Sequence, residues 1–213
     1  AWPRPARRVL LSPSETDPLC GADALDEVME AVRDACWQMS GWDDSNSDRT
    51  QSAYARRGGD GWQIALNRPK YALRATLFVQ ARLRAMKDGQ ASRIAAATGE
   101  GTLPDGAHVE LNSAYGPVFQ ASGRLLDTLS GRSLIAYAGG GALDAAFRLA
   151  DHIAQGWTRA QARAVCAMLP PGAGPRRVAA ERLNISRQAV DQALWAAGFP
   201  AIEAALEQIE TAP

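Results

Sequence analysis

The sequence predicts an α+β domain followed by an all-helical domain. Up to residue 139, short apolar runs typical of buried strands alternate with stretches that have helical periodicity. From residue 142 to the end, every segment has helical spacing. Three glycines at 139–141 separate the two patterns. We therefore expect an α+β domain over residues 1–139 and a helical domain over residues 142–213.

The first elements of the N-terminal domain follow from local patterns. A short apolar run that is closed by Pro13 predicts a buried strand. Val28, Val32 and Cys36 lie on one side at helical spacing and predict an amphipathic helix. Glycines between two short runs predict a β-hairpin. The corresponding segments are a strand at 8–12, a helix at 23–39, a loop at 40–52 and a hairpin within 52–66 that turns at 58–61.

The second half of this domain continues the alternation. Pro69 opens a helix, since proline is favoured in a first helical turn, and Leu73, Leu77 and Leu83 lie on its core side. The segments that follow are a strand at 93–98, a loop at 99–106, a helix at 115–129 and a strand at 133–137. The order strand, helix, hairpin, helix, strand, helix, strand predicts a ferredoxin-like sheet with helices on one face.

The C-terminal domain reads as helices separated by helix-breaking residues. Thr158 is suited to cap a helix, and the preceding Trp157 is suited to pack against its first turn. Prolines and glycines at 170–175 interrupt the helical pattern. The predicted helices lie at 142–155, 158–169, 201–209 and, as a pair, within 176–198.

Residues 176–198 (RRVAAERLNISRQAVDQALWAAG) predict two short helices joined by a tight turn. Val190 and Leu194 repeat the i, i+4 apolar spacing of the first helix after the turn. Asn184 tolerates the left-handed backbone region that such a turn needs, and Ser186 is suited to cap the second helix. Ala180 is small where the two helices should cross. This pattern is similar to the DNA-binding helix-turn-helix.

The resemblance implies which side chains meet a duplex. The second helix of such a motif enters the major groove, where Arg suits guanine, Gln suits adenine and Asp accepts from cytosine. Arginines at the start of the first helix suit phosphates. The predicted DNA-binding residues are Arg176, Arg177, Ser186, Arg187, Gln188, Asp191 and Gln192. The alternative is a helical hairpin that only packs and has a solvated polar face. We expect Trp195 to pack against Phe199 or Ile202.

Composition limits the classes of function. The formal net charge of zero argues against a protein that coats nucleic acid nonspecifically, because such binding depends on bulk positive charge. Between residues 157 and 199, however, there are six arginines and two acidic residues.

Three separated cysteines indicate reduced thiols in the cytoplasm, and two distant histidines lack the spacing of a metal site. No apolar run approaches the ~18 residues of a membrane span, and we expect no cofactor.

Two segments are similar to the class III nucleotide cyclase domain. One is RRGGDGWQIAL at 56–66, which resembles that family's metal-bearing hairpin and also the GGD hairpin of diguanylate cyclases. The other is RIAAATGEG…YGPVFQASGRLL at 93–126. The resemblance implies a metal carboxylate at Asp60, a base-reading side chain at Arg56, a ribose-orienting one at Gln120 and a transition-state arginine at Arg124.

The same resemblance implies that catalysis has been lost. Two-metal chemistry needs two carboxylates, and the second should follow the first strand. That place holds Ser12, Pro13 and Ser14, while Glu15 and Asp17 come slightly late. We therefore expect a degenerate cyclase-like domain without a catalytic or metal site. The glycine-rich hairpin is alternatively a plain turn that requires positive φ.

The complete arrangement resembles the SatD-like family of bacterial proteins. The matching pieces are GDGWQ at 59–63, GEG at 99–101, YGPVF at 115–119 and WTRAQ at 157–161, which leads into the pair at 176–198. The resemblance implies a cytoplasmic regulator whose partner is double-stranded DNA, with a nucleotide or other small molecule as a possible ligand. We expect a homodimer, because two motifs double the base contacts. The alternatives are a nucleotide cyclase or nucleotide-binding enzyme, and a protein-binding scaffold.

Overall fold

The protein is described by a computed structural model over residues 6–14, 22–42, 52–57, 59–102, 111 and 114–212. These residues form a mixed α+β structure. The strands are β1 (Ala6–Ser14), β2 (Ala53–Arg57), β3 (Gly61–Leu66), β4 (Arg93–Gly101) and β5 (Ile135–Tyr137). The helices are α1 (Ala22–Ser40), α2 (Ala72–Arg84), α3 (Pro117–Thr128), α4 (Gly141–Gln155), α5 (Arg159–Met168), α6 (Arg176–Leu183), α7 (Arg187–Ala196) and α8 (Phe199–Thr211), and a short 3-10 turn at Pro69–Tyr71 leads into α2.

The five strands form one sheet in the order β2-β3-β1-β4-β5. β1 runs through its middle, where Leu10 is opposite Ala65 of β3 and Ala97 of β4. The β2–β3 hairpin expected from the glycine-rich turn is confirmed as an antiparallel pair. β5 is parallel to β4, and the other neighbours in the sheet are antiparallel.

Helices cover both faces of this sheet, so the expectation of helices on one face was wrong. Trp62 and Ile64 of β3 face α1 and α2 in the large hydrophobic core. Ala65 and Ala97 point to the opposite face, where they pack with Val118 of α3. Small residues at these positions let α3 approach the strands closely, and the element order alone did not reveal that.

Two strand ends also differ from the sequence expectation. β4 continues through Gly101, where a loop was expected, because glycine leaves room for α3: a Cβ on Gly101 would lie 2.8 Å from Cγ1 of Val118. β1 continues through Pro13 to Ser14, because these residues pair only with β4 and not with β3. The missing N–H of Pro13 therefore costs no hydrogen bond on the β3 side. Glu15, Asp17 and Gly58 lie outside the described residues.

The hydrophobic core continues across residues 139–141 into the C-terminal helices. Phe78 of α2, Phe147 of α4 and Leu206 of α8 belong to one cluster of buried side chains. A largely buried ion pair strengthens this connection: Arg74 donates from Nε to Oε1 of Glu210 at 2.6 Å and from Nη2 to Oε2 at 2.9 Å. None of the described helices is long and apolar enough to cross a bilayer.

Candidate nucleic-acid interface

The turn between α6 and α7 is fixed by its own backbone and side chains. Asn184 has φ 54° and ψ 47°, and among the described residues it is the one non-glycine residue with positive φ. The N–H of Ile185 donates back to the carbonyl of Ala180 at 3.1 Å. Ser186 caps α7, because its Oγ accepts from the N–H of Ala189 at 3.1 Å. The expected left-handed turn residue and helix cap are both confirmed.

The inner faces of α6 and α7 anchor the pair to the core. Val190 and Leu194 are completely buried, as their i, i+4 spacing predicted. Ala179 and Ala180 of α6 are also buried. A helix held in this way can keep its outer face rigid, because each inward side chain fills a defined space.

The outer face of α7 is polar and open to solvent. Arg187 is 75% exposed, and Gln188 and Gln192 are exposed too. Gln188 and Gln192 are four residues apart and therefore lie one above the other on the same side of the helix. Guanidinium and amide groups in this arrangement can form paired hydrogen bonds with a planar partner such as a base edge.

Asp191 binds two arginines of this surface. Its Oδ1 accepts from Nη1 of Arg176 at 2.8 Å, and its Oδ2 lies 3.7 Å from Nε of Arg187. The carboxylate thus links the start of α6 to α7 through its hydrogen bond with Arg176, whereas its contact with the exposed Arg187 is a weak ion pair. The spacing of Arg187 and Asp191 could have indicated one of these pairs from the sequence, whereas the contact with Arg176 depends on the fold.

The remaining arginine at the start of α6 is paired along its own helix. Arg177 donates from Nη1 to Oε1 of Glu181 at 2.8 Å, and both side chains are mostly exposed. An exposed i, i+4 pair of this kind is weak, so Arg177 can exchange its carboxylate for another anion at little cost.

Trp195 is 77% exposed, so the expectation that it packs against Phe199 or Ile202 was wrong. Gly198 with φ 68° turns the chain after α7, which sends Phe199 and Ile202 into the core. Trp157 instead contacts the end of α7, where its indole N–H donates to the carbonyl of Ala197 at 2.9 Å. Trp195 therefore extends the exposed face that begins with the two glutamines.

The start of α5 is fixed as its sequence predicted. The hydroxyl of Thr158 accepts from the N–H of Gln161 at 3.3 Å, and Oε1 of Gln161 accepts from the N–H of Thr158 at 2.8 Å. This reciprocal cap, together with the buried Trp157, orients α5 beneath the α6–α7 pair.

The residues expected at a nucleotide site fall into two separate places. Arg56 on the β2–β3 hairpin donates to the carbonyl of Gly59 at 2.9 Å and pairs with Asp26 at 3.2 Å. Asp60 lies in the same turn, whereas Gln120 and Arg124 are exposed on α3. Arg124 lines a cavity of about 300 Å³ beside β5, at the opposite edge of the sheet. The two groups are therefore carried by different elements, the β2–β3 hairpin and α3, and α3 packs mainly on β4 and β1.

The carboxylates and thiols of the described residues do not gather into a metal-binding cluster. Over that part of the chain, no three His, Cys, Asp or Glu side chains cluster in a way that could hold a metal ion. Asp60 is therefore not part of such a three-ligand cluster there. Burial raises the pKa of Cys36 and of Cys166 to about 11, so both thiols are protonated and poor nucleophiles near neutral pH.

The chain matches no family model, no curated protein and no solved structure. Its functional interpretation therefore depends on the geometry of its own residues. Of the surfaces described above, the outer face of α7 combines a helix that is packed firmly on the core with exposed side chains that can form hydrogen bonds with a planar polar partner.

Proposed function

We propose that the protein is a sequence-specific DNA-binding transcriptional regulator and that α6 and α7 act as its helix-turn-helix. The observation that carries the proposal is the exposed row of Arg187, Gln188 and Gln192 on a helix whose start is fixed by Asn184 and Ser186. In this reading α7 lies in the major groove and α6 crosses the backbone above it.

Each exposed side chain has a chemical role in this proposal. Arg187 donates two parallel hydrogen bonds to N7 and O6 of guanine, and Gln188 and Gln192 pair with adenine. Arg176 and Arg177 contact phosphates, and Ser186 does so from the start of α7. Asp191 holds Arg176 in position through Oδ1, and its Oδ2 accepts from cytosine when the weak contact with Arg187 opens.

We further propose that the N-terminal domain is ferredoxin-like and related to the cyclases, as the SatD-like resemblance implies. The antiparallel order β2-β3-β1-β4, with α1 between β1 and β2 and α2 between β3 and β4, supports this assignment. The lack of a carboxylate at Ser12, Pro13 and Ser14, at the end of β1, favours a domain that senses a ligand or dimerises over one that catalyses.

The proposed regulator works as a homodimer in the bacterial cytoplasm, where its DNA partner is found. One helix-turn-helix offers few base contacts, and a dimer places two copies of α7 in successive major grooves about 34–36 Å apart. The DNA site should accordingly consist of two related half-sites separated by one helical turn.

Selection of bound duplexes from a random library tests the proposal. We expect the full chain to enrich one motif with two-fold symmetry. The double variant Arg187→Ala, Gln188→Ala should lose that enrichment and keep the circular dichroism spectrum, since both side chains are exposed. Enrichment of no motif by a folded, dimeric wild-type chain would remove sequence-specific DNA binding as its function.

A further inference from the structure

A groove of about 410 Å³ lies between α1 and α2 on one side and α5 and α6 on the other. It brings together three arginines from three helices: Arg82 of α2, Arg163 of α5 and Arg182 of α6. Met86 and Leu183 contribute apolar walls beside them. None of the side chains that line the groove is acidic. The sequence did not reveal this cluster, because the three arginines are separated from one another by about 20 to 100 positions.

The positive charge of this groove is largely uncompensated. Arg163 and Arg182 form no ion pair and no hydrogen bond with any described residue. Arg82 has one carboxylate partner, Asp34, at the long distance of 3.9 Å. Cys166 also lines the groove, but burial raises its pKa to about 11, so the neutral thiol does not offset the charge of Arg82. Like charges held together in this way favour the uptake of an anion.

We propose that this groove binds a small organic phosphate, whose phosphoryl group is held by Arg82, Arg163 and Arg182 and whose apolar part packs against Met86 and Leu183. A phosphate monoester carries close to two negative charges near neutral pH, and its oxygens match the planar forks of guanidinium groups. A monocarboxylate would neutralise one of the three arginines. The volume lies within the range of about 300–1,000 Å³ that is usual for small-molecule sites.

This site is separate from the hairpin and α3 residues that the cyclase resemblance indicates, and it does not depend on DNA binding. Its walls belong to helices on both sides of residues 139–141, so a bound phosphate would bridge the α+β part and the C-terminal helices. Arg163 and Arg182 are exposed residues, and replacing them should leave the fold intact.

Isothermal titration of the full chain with phenyl phosphate tests the proposal, with benzoate as the matched carboxylate. We expect one phenyl phosphate per chain and at least tenfold weaker binding of benzoate. Arg163→Gln and Arg182→Gln should each raise the Kd for phenyl phosphate about tenfold, since each removes a charge-assisted hydrogen bond. Arg132→Gln, an exposed arginine outside the groove, is the control and should leave the Kd unchanged.

Three results would overturn the proposal. The first is no binding of phenyl phosphate at millimolar concentration. The second is equal affinity for phenyl phosphate and benzoate, which would remove the phosphoryl specificity. The third is unchanged affinity in the folded double variant Arg163→Gln, Arg182→Gln. Weakened duplex binding by that variant without any binding of phenyl phosphate would assign the two arginines to the DNA backbone instead.

Discussion

At the scale of single residues, Asn184 sets the angle at which α6 meets α7. Its left-handed backbone, with φ 54°, is costly for residues with a Cβ and free for glycine. We expect Asn184→Ala to lower the free energy of unfolding by about 1 kcal/mol and Asn184→Gly to change it by only a few tenths. Urea denaturation of the two variants measures this, and an equal effect of alanine and glycine would contradict the strained turn.

Gln188 tests the proposed base contacts more selectively than an arginine does, because it carries no charge. We expect Gln188→Ala to weaken binding to the preferred site by about 1–3 kcal/mol and to relax the base preference at one position. A gel-shift titration measures the affinity. Gln208→Ala on α8 is the matched control, since Gln208 is also exposed. The same affinity for both variants would exclude Gln188 from the interface.

The two described cysteines should be unreactive while the protein is folded. Because burial raises the pKa of Cys36 and Cys166 from 9.0 to about 11, the thiolate fraction at pH 8 falls by about a hundredfold. We expect iodoacetamide to alkylate both slowly at pH 8 and at the ordinary rate in urea. Mass spectrometry of each peptide separates them from Cys20. Equal rates in the folded and unfolded protein would contradict the burial of these thiols.

At the scale of elements, α7 is held by its buried side chains and not by its exposed face. Val190 is completely buried, so Val190→Asp places an unpaired charge in the core and should cost several kcal/mol. Ala204→Asp, at an exposed position of α8, is the control and should change the stability by less than about 1 kcal/mol. Thermal melts by circular dichroism measure both. An unchanged melt of Val190→Asp would mean that the register of α7 is wrong.

Sequence reasoning found the elements whose ends are set locally. Thr158, Asn184 and Ser186 act within three or four residues of their own position, so their roles could be predicted from spacing. The face on which α3 packs could not be predicted, because it depends on small residues of strands that are distant in the chain, such as Ala65 of β3, which packs with Val118. The exposure of Trp195 could not be predicted either, because the residue that contacts the end of α7 is Trp157, about forty residues earlier in the chain.

At the scale of the whole molecule, the shared core should make unfolding cooperative across residues 139–141. Glu210 and Arg74 are each 12% exposed and form two hydrogen bonds, so Glu210→Gln leaves a buried arginine without its charge partner. We expect a single calorimetric transition. In this variant the free energy of unfolding should be about 3 kcal/mol lower than in the wild type. Glu207→Gln, exposed on the same helix, is the control. Two separate transitions, with only one moved by Glu210→Gln, would contradict the continuous core.

The complete chain should not form cyclic nucleotides. Two-metal chemistry needs two carboxylates, and the end of β1 holds Ser12, Pro13 and Ser14 instead of an acid. We expect no cyclic product from ATP, GTP, CTP or UTP with magnesium or manganese, as measured by chromatography. A cyclic product that disappears in Asp60→Ala would identify the protein as an enzyme.

The most direct test of DNA recognition compares affinities for the enriched duplex and for a scrambled duplex of equal length across a range of salt concentrations. We expect the enriched site to bind at least 10³-fold more tightly. Arg176 and Arg177 of a dimer make four phosphate contacts, so the slope of log K against log salt should be about −3.6 from these contacts alone. Equal affinity for both duplexes at every salt concentration would contradict sequence-specific recognition by α7.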